Sequence, residues 1–200
     1  MSLPDNVKSE TNYNCIQSFN EIPIGDNSLV ICDIDDTLIK SKKCLSYFYK
    51  IVEEDFIAFP NWPKELILKD ACDMQHLHNQ MFGFDHTDSD GFFFMCDKIK
   101  KSSSQLVFLT ARDVKSENFT RKNFQSVGLD YDNFPVYYTN NEIFKGQYIL
   151  SNINFSSYSN IIFIDDCDVQ LNSVIECFPQ AQCYKFVIPE YKRFHSFKFQ

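Results

Sequence analysis

Three carboxylates follow an apolar run near the start of the chain. The stretch LVICDIDDTLIK, residues 29–40, places Asp33, Asp35 and Asp36 directly behind residues that are typical of a buried strand. A charged side chain is costly to bury when it has no partner. The three carboxylates are therefore expected either to lie at the exposed end of a strand or to bind a ligand.

Further polar residues lie at the ends of later apolar runs or between them: Thr110, Lys145, Asp165 and Asp166. The carboxyl ends of neighbouring parallel strands point to the same rim of a sheet. We therefore expect these side chains to meet Asp33 and Asp35 in one pocket. Four carboxylates that lie together need a cation to stay ionised. A ligand set made of oxygen atoms alone favours Mg²⁺.

Five short apolar runs, rich in β-branched and aromatic residues, predict the strands that position these groups. They span residues 28–34, 105–110, 134–139, 160–165 and 182–188. Helical segments at 114–127 and 169–178 separate the later runs. Near-continuous apolar strands joined by helices are typical of a parallel sheet that is covered on both faces. The predicted fold is therefore an α/β doubly wound parallel sheet.

The first two predicted strands are too far apart to be joined by a single crossover helix. The intervening sequence predicts three helices, at 42–56, 63–80 and 92–101, the last capped by one of the residues 88–90. We predict a catalytic core formed by 1–40 and 105–200 and a helical cap formed by 41–104. This insert is rich in aromatic residues, and its segment Phe82–Gly91 is expected to overhang the pocket as a loop.

Composition excludes several classes of protein. With 44% hydrophobic residues among 200, the chain can bury a core and is not disordered. A net charge of −8 disfavours binding to nucleic acid. No signal peptide or transmembrane run is visible, so a cytoplasmic protein is expected. The ending YKRFHSFKFQ is also compatible with a fragment of a longer protein.

The eight cysteines are dispersed and form no CxxC pair, so we expect reduced core residues, such as Cys32, Cys44 and Cys177. Zinc is disfavoured because His76 and His78 are two residues apart and would face opposite sides of a helix. No cysteine has an arginine six positions later. A cysteine-dependent phosphatase is therefore excluded.

The four motifs DIDDT, VFLTAR, a lone KG and FIDD, in this order, resemble those of the haloacid dehalogenase (HAD) superfamily in its phosphatase branch. The resemblance extends over about residues 28–188, although the insert matches by position only. It implies the same doubly wound sheet, and it implies that the insert is a C1-type cap.

The resemblance also implies roles for four catalytic residues. Asp33 would attack phosphorus and form an aspartyl-phosphate. Asp35 would protonate the leaving oxygen and then deprotonate the hydrolytic water, reaching the same phosphate because positions i and i+2 of a strand share a side. Thr110 would hydrogen-bond to the phosphoryl oxygens, and Lys145 would balance the developing charge.

The implied Mg²⁺ ligands come from the same motifs. They are Asp33, the main-chain carbonyl of Asp35, and the Asp165/Asp166 pair, with Asp166 as the expected direct ligand of that pair. Magnesium and lysine together would supply the electrostatic stabilisation that phosphoryl transfer requires.

The sequence allows two roles for several residues near these motifs. Asp36 and Thr37 either serve the site or satisfy backbone donors in the turn after the strand. Arg112 either binds the substrate phosphate or pairs with an acidic residue at a helix start, and the second role is preferred. Asp168 or Asn172 would support the metal site.

Asp35 favours a phosphohydrolase, because dehalogenases lack an acidic residue at this position and transport ATPases have threonine there. The expected substrate is a phosphotyrosine protein, since the chain also resembles, more loosely, HAD-type tyrosine phosphatase effectors of intracellular bacterial pathogens. Such an effector would act in the host cytoplasm. The alternatives are a small-molecule phosphatase for a sugar phosphate or a nucleotide, a phosphomutase, and a binding domain without catalysis.

Overall fold

The computed structural model describes residues 12–42, 51–52 and 54–189. Most of the predicted helix 42–56 lies outside these ranges, and so does Cys44. The side chains of His76 and His78 are also outside the described part of the chain. Within the ranges, no helix is long and apolar enough to cross a membrane.

The part of the chain that is described contains eight strands and five α-helices with full bounds. The strands are β1 Asn14–Ile16, β2 Ser28–Cys32, β3 Ile39–Ser41, β4 Phe84–His86, β5 Gln105–Thr110, β6 Val136–Tyr138, β7 Asn160–Asp165 and β8 Gln182–Phe186. The helices are α1 Lys64–Phe82, α2 Ser89–Lys101, α3 Glu117–Ser126, α4 Lys145–Asn152 and α5 Asp168–Cys177. Residues 51–52 and 54–58 are helical as well.

Six strands form one sheet in the order β1-β8-β7-β2-β5-β6, and every neighbouring pair is parallel. Strand β2 lies inside the sheet, with Cys32 opposite Phe108 of β5 on one side and Ile164 of β7 on the other. The predicted α/β doubly wound parallel sheet is confirmed.

Both faces of the sheet are covered, as its near-continuous apolar strands require. Successive strand residues point to opposite faces. Val30 and Cys32 therefore join the hydrophobic cluster that contains residues of α2 and α3. Leu29 and Ile31 join a second cluster with residues of α4 and α5. The two clusters hold β2 in place, and with it the loop that carries the acidic residues.

Strand β1 and helix α4 are among the elements that the sequence did not predict. Strand β1, Asn14–Ile16, adds to the edge of the sheet beside β8, and its three residues are too few to show an alternating pattern. Helix α4, Lys145–Asn152, lies where the sequence predicted only a connection, because its eight residues make less than three turns.

The predicted insert contains more than helices. Strands β3 and β4 form an antiparallel pair with Ile39 opposite His86. Phe92 of α2 is fully buried in the cluster that also contains Phe108 of the main sheet. Part of the segment 41–104 thus packs on the sheet, and the domain boundaries stay a prediction.

The segment Phe82–Gly91 is not a loop over the pocket, so that expectation was wrong. Phe84 lies in β4 and is buried. Asp88 is the N-cap of α2: its Oδ1 accepts from Gly91 N at 3.1 Å, and its Oδ2 accepts from Ser18 Oγ at 2.7 Å. The segment is therefore held against the rest of the protein, because Phe84 is packed in the core and Asp88 is hydrogen-bonded on both carboxylate oxygens.

The cysteines that the structure describes are all free: Cys15, Cys32, Cys96, Cys167, Cys177 and Cys183. Cys32, Cys96 and Cys183 are buried, which agrees with the predicted core role of Cys32. Cys177 is half-buried. Burial raises the pKa of the Cys96 thiol to about 11, so this cysteine behaves as an apolar core residue.

Candidate active site

The acidic loop begins one residue after β2 ends. Asp33 N donates to Ile164 O at 2.9 Å and so continues the contact with β7. The backbone then turns tightly, since Leu38 N and Ile39 N both donate to Ile34 O at 3.0 Å. Asp36 has φ 56°, a left-handed conformation that aspartate tolerates better than most residues. The turn places Asp33 and Asp35 in different surroundings.

Asp33 lies in a buried ion cluster. The Lys145 side chain is only 2% exposed, and its Nζ donates to Asp33 Oδ1 and, at 2.7 Å, to Asp165 Oδ2. The two carboxylate side chains are 7% and 1% exposed. Despite the burial that opposes its charge, the two carboxylates raise the pKa of Lys145 above its ordinary value. Lys145 is therefore a buried cation with fixed partners. It is not a solvated lysine of a surface loop.

Helix α5 sets the position of Lys145. Lys145 N donates to Gln170 Oε1 at 2.9 Å, and Gly146 N donates to Ser173 Oγ at 3.1 Å. The backbone N–H groups at the start of a helix have no acceptor within the helix. The two side chains of α5 supply acceptors for two such groups of α4. Sequence reasoning missed Gln170 and Ser173. Their spacing of three residues, which places both on one face of the helix, is the signal that points to them.

Gly146 allows the close approach of α4 to α5. A Cβ at this position would lie 2.0 Å from the carbonyl oxygen of Ser173, which is backbone and cannot rotate away. The KG pair thus has a packing reason: lysine supplies the buried cation, and glycine lets its helix reach α5.

We expect Gly146→Ala to lower the free energy of unfolding by about 1–3 kcal/mol, because the added methyl forces the two helices apart. Urea denaturation measures the effect. Gly25→Ala is the matched control, since its Cβ would meet only side-chain atoms, the nearest at 3.6 Å. Equal stability of the two variants would contradict the close approach.

Three carboxylates are arranged in a way that fits a metal ion. Asp33, Asp165 and Asp166 each offer an oxygen, and these three atoms lie within 4.8 Å of one another. Burial, with the charge of Asp165 next, raises the pKa of Asp166 to about 7. Burial also raises the pKa of Asp33, although Lys145 opposes this. The excess of negative charge and the oxygen-only donor set suit a hard cation such as Mg²⁺.

Asp165 and Asp166 differ in the number of protein partners. Asp165 Oδ2 accepts from Lys145 Nζ, and Asp165 Oδ1 accepts from Cys167 N at 2.9 Å. Both oxygens of Asp165 therefore already accept one hydrogen bond. This favours Asp166 as the direct ligand, which stays a prediction.

Asp35 does not face the cluster in the way that strand alternation predicted. Its side chain is 48% exposed and forms a two-bond ion pair with Arg112: Nε donates to Oδ2 at 2.8 Å, and Nη2 donates to Oδ1 at 2.6 Å. The alternation fails because β2 ends at Cys32, before Asp35 is reached. The acidic partner of Arg112 is thus Asp35 rather than a residue at a helix start.

Thr110 lies at the end of β5 and is fully buried. Its Oγ1 accepts from Arg112 N at 3.2 Å, so it is placed beside the Asp35–Arg112 pair. Thr37 is also buried, and its Oγ1 has no hydrogen-bond partner among the residues that the structure describes. The Thr37 side chain therefore does not satisfy a backbone donor of the turn in this part of the chain.

The two candidates for a supporting role have different surroundings. Asp168 Oδ1 accepts from Tyr13 Oη at 2.5 Å and from Lys185 Nζ at 2.6 Å, which links α5 to the chain near β1 and to β8. Asn172 lines a shallow cleft with Phe144 and Val169. Gln170 is the residue of this helix that contacts the Lys145 backbone.

The arrangement combines three chemical elements. Asp33 offers a carboxylate oxygen at a site where a lysine can neutralise charge. The Asp33–Asp165–Asp166 group offers ligands for a divalent cation. Asp35 offers a second carboxylate, close enough for its charge to raise the pKa of Asp33 further. A nucleophile, a source of electrophilic stabilisation and an acid–base group are the parts that phosphoryl transfer needs.

No family model matches the chain, and no curated protein matches it. Among solved structures, the chain is similar to one described as a "putative beta-phosphoglucomutase from Thermotoga maritima". The two share 10% sequence identity, the match covers 80% of this chain and 85% of the other, and the TM-score is 0.53. At this identity the likeness shows a shared fold, and it agrees with the parallel sheet described above.

Proposed function

We propose that this chain is a Mg²⁺-dependent phosphomonoesterase that works through an aspartyl-phosphate on Asp33. The observation that carries the proposal is the buried Asp33, joined to Lys145 and grouped with Asp165 and Asp166 at the carboxyl end of the sheet. The order of its four motifs, which resembles the HAD superfamily, supports the same chemistry. The description of the similar solved structure as a phosphoglucomutase also agrees with phosphoryl transfer.

In the proposed first step, an oxygen of Asp33 attacks phosphorus, and the bond from phosphorus to the leaving oxygen breaks while Asp35 supplies a proton. In the second step, Asp35 takes a proton from water, whose oxygen attacks phosphorus and releases Asp33. Lys145 stays beside Asp33 and offsets the negative charge, and Thr110 donates a hydrogen bond to a phosphoryl oxygen.

The residues that would hold Mg²⁺ are Asp33, the main-chain carbonyl of Asp35, Asp165 and Asp166. When bound, the ion supplies charge neutralisation for the phosphoryl oxygens. Because Lys145 already pairs with Asp33 and Asp165, the protein itself provides part of this neutralisation before any ion binds.

We propose a phosphotyrosine protein as the substrate. The support comes from the aromatic side chains of the predicted insert, several of which are exposed: Phe56, Phe59, Trp62, Phe82, Phe93 and Phe94. Phe59 and Trp62 stack on one another with ring centroids 4.1 Å apart. Exposed aromatic surface is suited to contact with another protein or with an aryl group.

A second candidate function is a phosphatase or phosphomutase that acts on a small molecule such as a sugar phosphate. The observation in its favour is the description of the similar solved structure as a phosphoglucomutase. The two candidates share the Asp33 chemistry and differ in the substrate. A phosphatase of either kind transfers the phosphoryl group to water, whereas a mutase transfers it to a sugar hydroxyl.

One panel of substrates tests both candidates. Release of inorganic phosphate is measured with Mg²⁺ from p-nitrophenyl phosphate, from phosphotyrosine, phosphoserine and phosphothreonine peptides, and from sugar phosphates and nucleotides. We expect hydrolysis of p-nitrophenyl phosphate and a preference for phosphotyrosine peptides. Faster turnover of a sugar phosphate or nucleotide would replace the protein substrate, and isomerisation of a sugar phosphate without release would establish the mutase.

The panel also needs to separate two causes of a tyrosine preference. Stacking on the insert contributes up to about 1.5 kcal/mol, or roughly tenfold in affinity. A phenolate also departs more easily than an alkoxide, with no stacking. The Phe59→Ser/Trp62→Ser double variant should lose selectivity for phosphotyrosine peptides if stacking is the cause. Leu150→Ser, an exposed apolar residue of α4, is the control.

A further inference from the structure

We propose that Arg112 is a positioning residue for Asp35, and that Thr120 and Asn123 of helix α3 hold Arg112 in place for this purpose. The inference rests on the proposed function, because it assigns Arg112 to the residue proposed as acid and base. In the structure, the Arg112 guanidinium lies between the Asp35 carboxylate and the buried side chains of Thr120 and Asn123.

The guanidinium of Arg112 is almost fully used by protein acceptors. Two of its N–H groups bind the two oxygens of Asp35. Nη1 donates to Thr120 Oγ1 and to Asn123 Oδ1, both at 2.9 Å. These contacts use four of the five N–H groups of an arginine side chain.

The surroundings of Arg112 prevent it from moving freely. Its side chain is only 11% exposed. Its Cζ atom lies 5.9 Å from the ring centroid of Phe84 and 5.5 Å from that of Phe119. Strand β4 and helix α3 thus flank the guanidinium from two sides, while the Asp35 carboxylate holds its remaining edge.

Thr120 and Asn123 are buried polar residues whose presence needs a reason. They are 0% and 4% exposed, and both lie on the buried face of α3. Burying such groups is costly unless they are hydrogen-bonded. Arg112 satisfies both of them, and together they fix the direction in which Arg112 presents its fork to Asp35.

This donor count argues against Arg112 as the phosphate-binding residue. Arginine usually binds phosphate through two parallel N–H groups. Only one N–H of Arg112 is left over, so a phosphate would have to displace Asp35 or the two α3 acceptors. Asp35, in contrast, has an exposed side chain that would sample several rotamers without the arginine.

The role has a chemical consequence that depends on the leaving group. A poorly positioned Asp35 cannot protonate an alkoxide efficiently, whereas p-nitrophenolate departs without a proton. Misplacement of a reacting group costs about a hundredfold in rate. Loss of Arg112 should therefore lower kcat/KM for alkyl phosphates far more than for p-nitrophenyl phosphate. The constant kcat/KM reports the step in which the leaving group departs, whereas the second step, in which Asp35 activates water, is the same for both substrates.

The test compares kcat/KM for β-glycerophosphate and p-nitrophenyl phosphate in wild type, Arg112→Ala, Arg112→Lys and the control Arg121→Ala. Arg121 also pairs with two carboxylates, those of Glu117 and Asp132, but on the surface. For Arg112→Ala we expect kcat/KM to fall about a hundredfold on β-glycerophosphate and less than about tenfold on p-nitrophenyl phosphate, with no rise in KM and with inhibition by inorganic phosphate unchanged.

Arg112→Lys should resemble Arg112→Ala, because an ammonium cannot reproduce the two-bond contact. Arg121→Ala should behave as wild type on both substrates. If Arg112→Ala does not fold, the same two substrates are compared in Thr120→Val. This variant keeps the shape of the side chain and removes one acceptor of Arg112.

Three results would overturn the inference, and they are distinguishable. Equal losses on both substrates would make Arg112 a purely structural residue. A raised KM with weaker inhibition by inorganic phosphate would make it a phosphate-binding residue. A wild-type protein that is inactive on both substrates would overturn the proposed function, and this inference would fall with it.

Discussion

The Asp33→Asn variant is expected to lose phosphatase activity by about a hundred- to a thousandfold or more, while its fold persists. The amide has the same shape as the carboxylate but cannot attack phosphorus, and it is a weaker ligand for a divalent cation. The measurement is the rate of p-nitrophenyl phosphate hydrolysis with saturating Mg²⁺, together with a thermal melt that shows the variant is folded.

The ion cluster explains why the fold should tolerate this change. Asp33→Asn leaves Lys145 with Asp165 as its charged partner, at 2.7 Å. The amide oxygen can still accept from Lys145. Lys145→Met would do the opposite and leave two buried carboxylates without their cation, which costs about 3–5 kcal/mol when a buried pair is broken.

Asp132→Asn is the matched control for Asp33→Asn. The Asp132 side chain is 72% exposed and pairs with Arg121 on the surface, so the same chemical change there should leave activity unaltered. Wild-type turnover by a folded Asp33→Asn variant would show that Asp33 is not the nucleophile.

Removal of divalent cations should abolish activity, and Mg²⁺ should restore it. Among the described residues, Lys145 is the cation that pairs with this group of three carboxylates, Asp33, Asp165 and Asp166, so negative charge is in excess. Burial raises the pKa of Asp33 and of Asp166. A small divalent cation offsets this charge. Ca²⁺ should restore little, because it prefers longer bonds and more ligands than Mg²⁺. Full turnover after exhaustive dialysis against EDTA would exclude a metal-dependent mechanism.

The raised pKa of Asp166, about 7, predicts a pH dependence of Mg²⁺ binding. Below pH 7 the ion must displace a proton, so its affinity should fall by about tenfold per pH unit. Isothermal titration calorimetry at pH 5.5–8 measures this. In Asp166→Ala the dependence should become less steep, because Asp33 is then the remaining ligand with a raised pKa, and activity should be lost. An equally steep dependence in this variant would assign the proton to another group.

The same shift predicts the sign of the effect on stability without metal. The folded protein holds the Asp166 proton more tightly than the unfolded chain, so the contribution of Asp166 to stability is greatest below about pH 4 and is lost as the pH rises through 7. Mg²⁺ should reverse this trend by stabilising the ionised form. Asp166→Ala should raise the stability of the metal-free protein near neutral pH, since it removes one of several repelling carboxylates.

Much of the fold follows from local patterns. The five apolar runs that predicted strands contain strands in the structure, because β-branched and aromatic side chains in short runs pack well on a buried sheet. The parallel topology then brings the ends of β2 and β7 together, which is why the sequence pattern alone predicts that Asp33 and Asp165 lie close to one another.

Elements without a strong local pattern were decided by tertiary contacts. Strand β1 exists because its three residues pair with β8 at the edge of the sheet. Helix α4 is short, and it is held by Gln170 and Ser173 of α5 and by the contact at Gly146. These interactions join residues that are distant in sequence, so the residue pattern within α4 does not indicate them.

The sequence by itself determined the sheet, the motif order and the identity of the acidic groups, since these depend on residue type and spacing. Only the tertiary structure decided that Lys145 is buried between two carboxylates and that Asp35 turns to Arg112. The reason is physical: a charge acquires its partner and its degree of burial from elements that lie far apart along the chain. Asp35 and Arg112 are 77 positions apart in the sequence, and no local pattern indicates their contact.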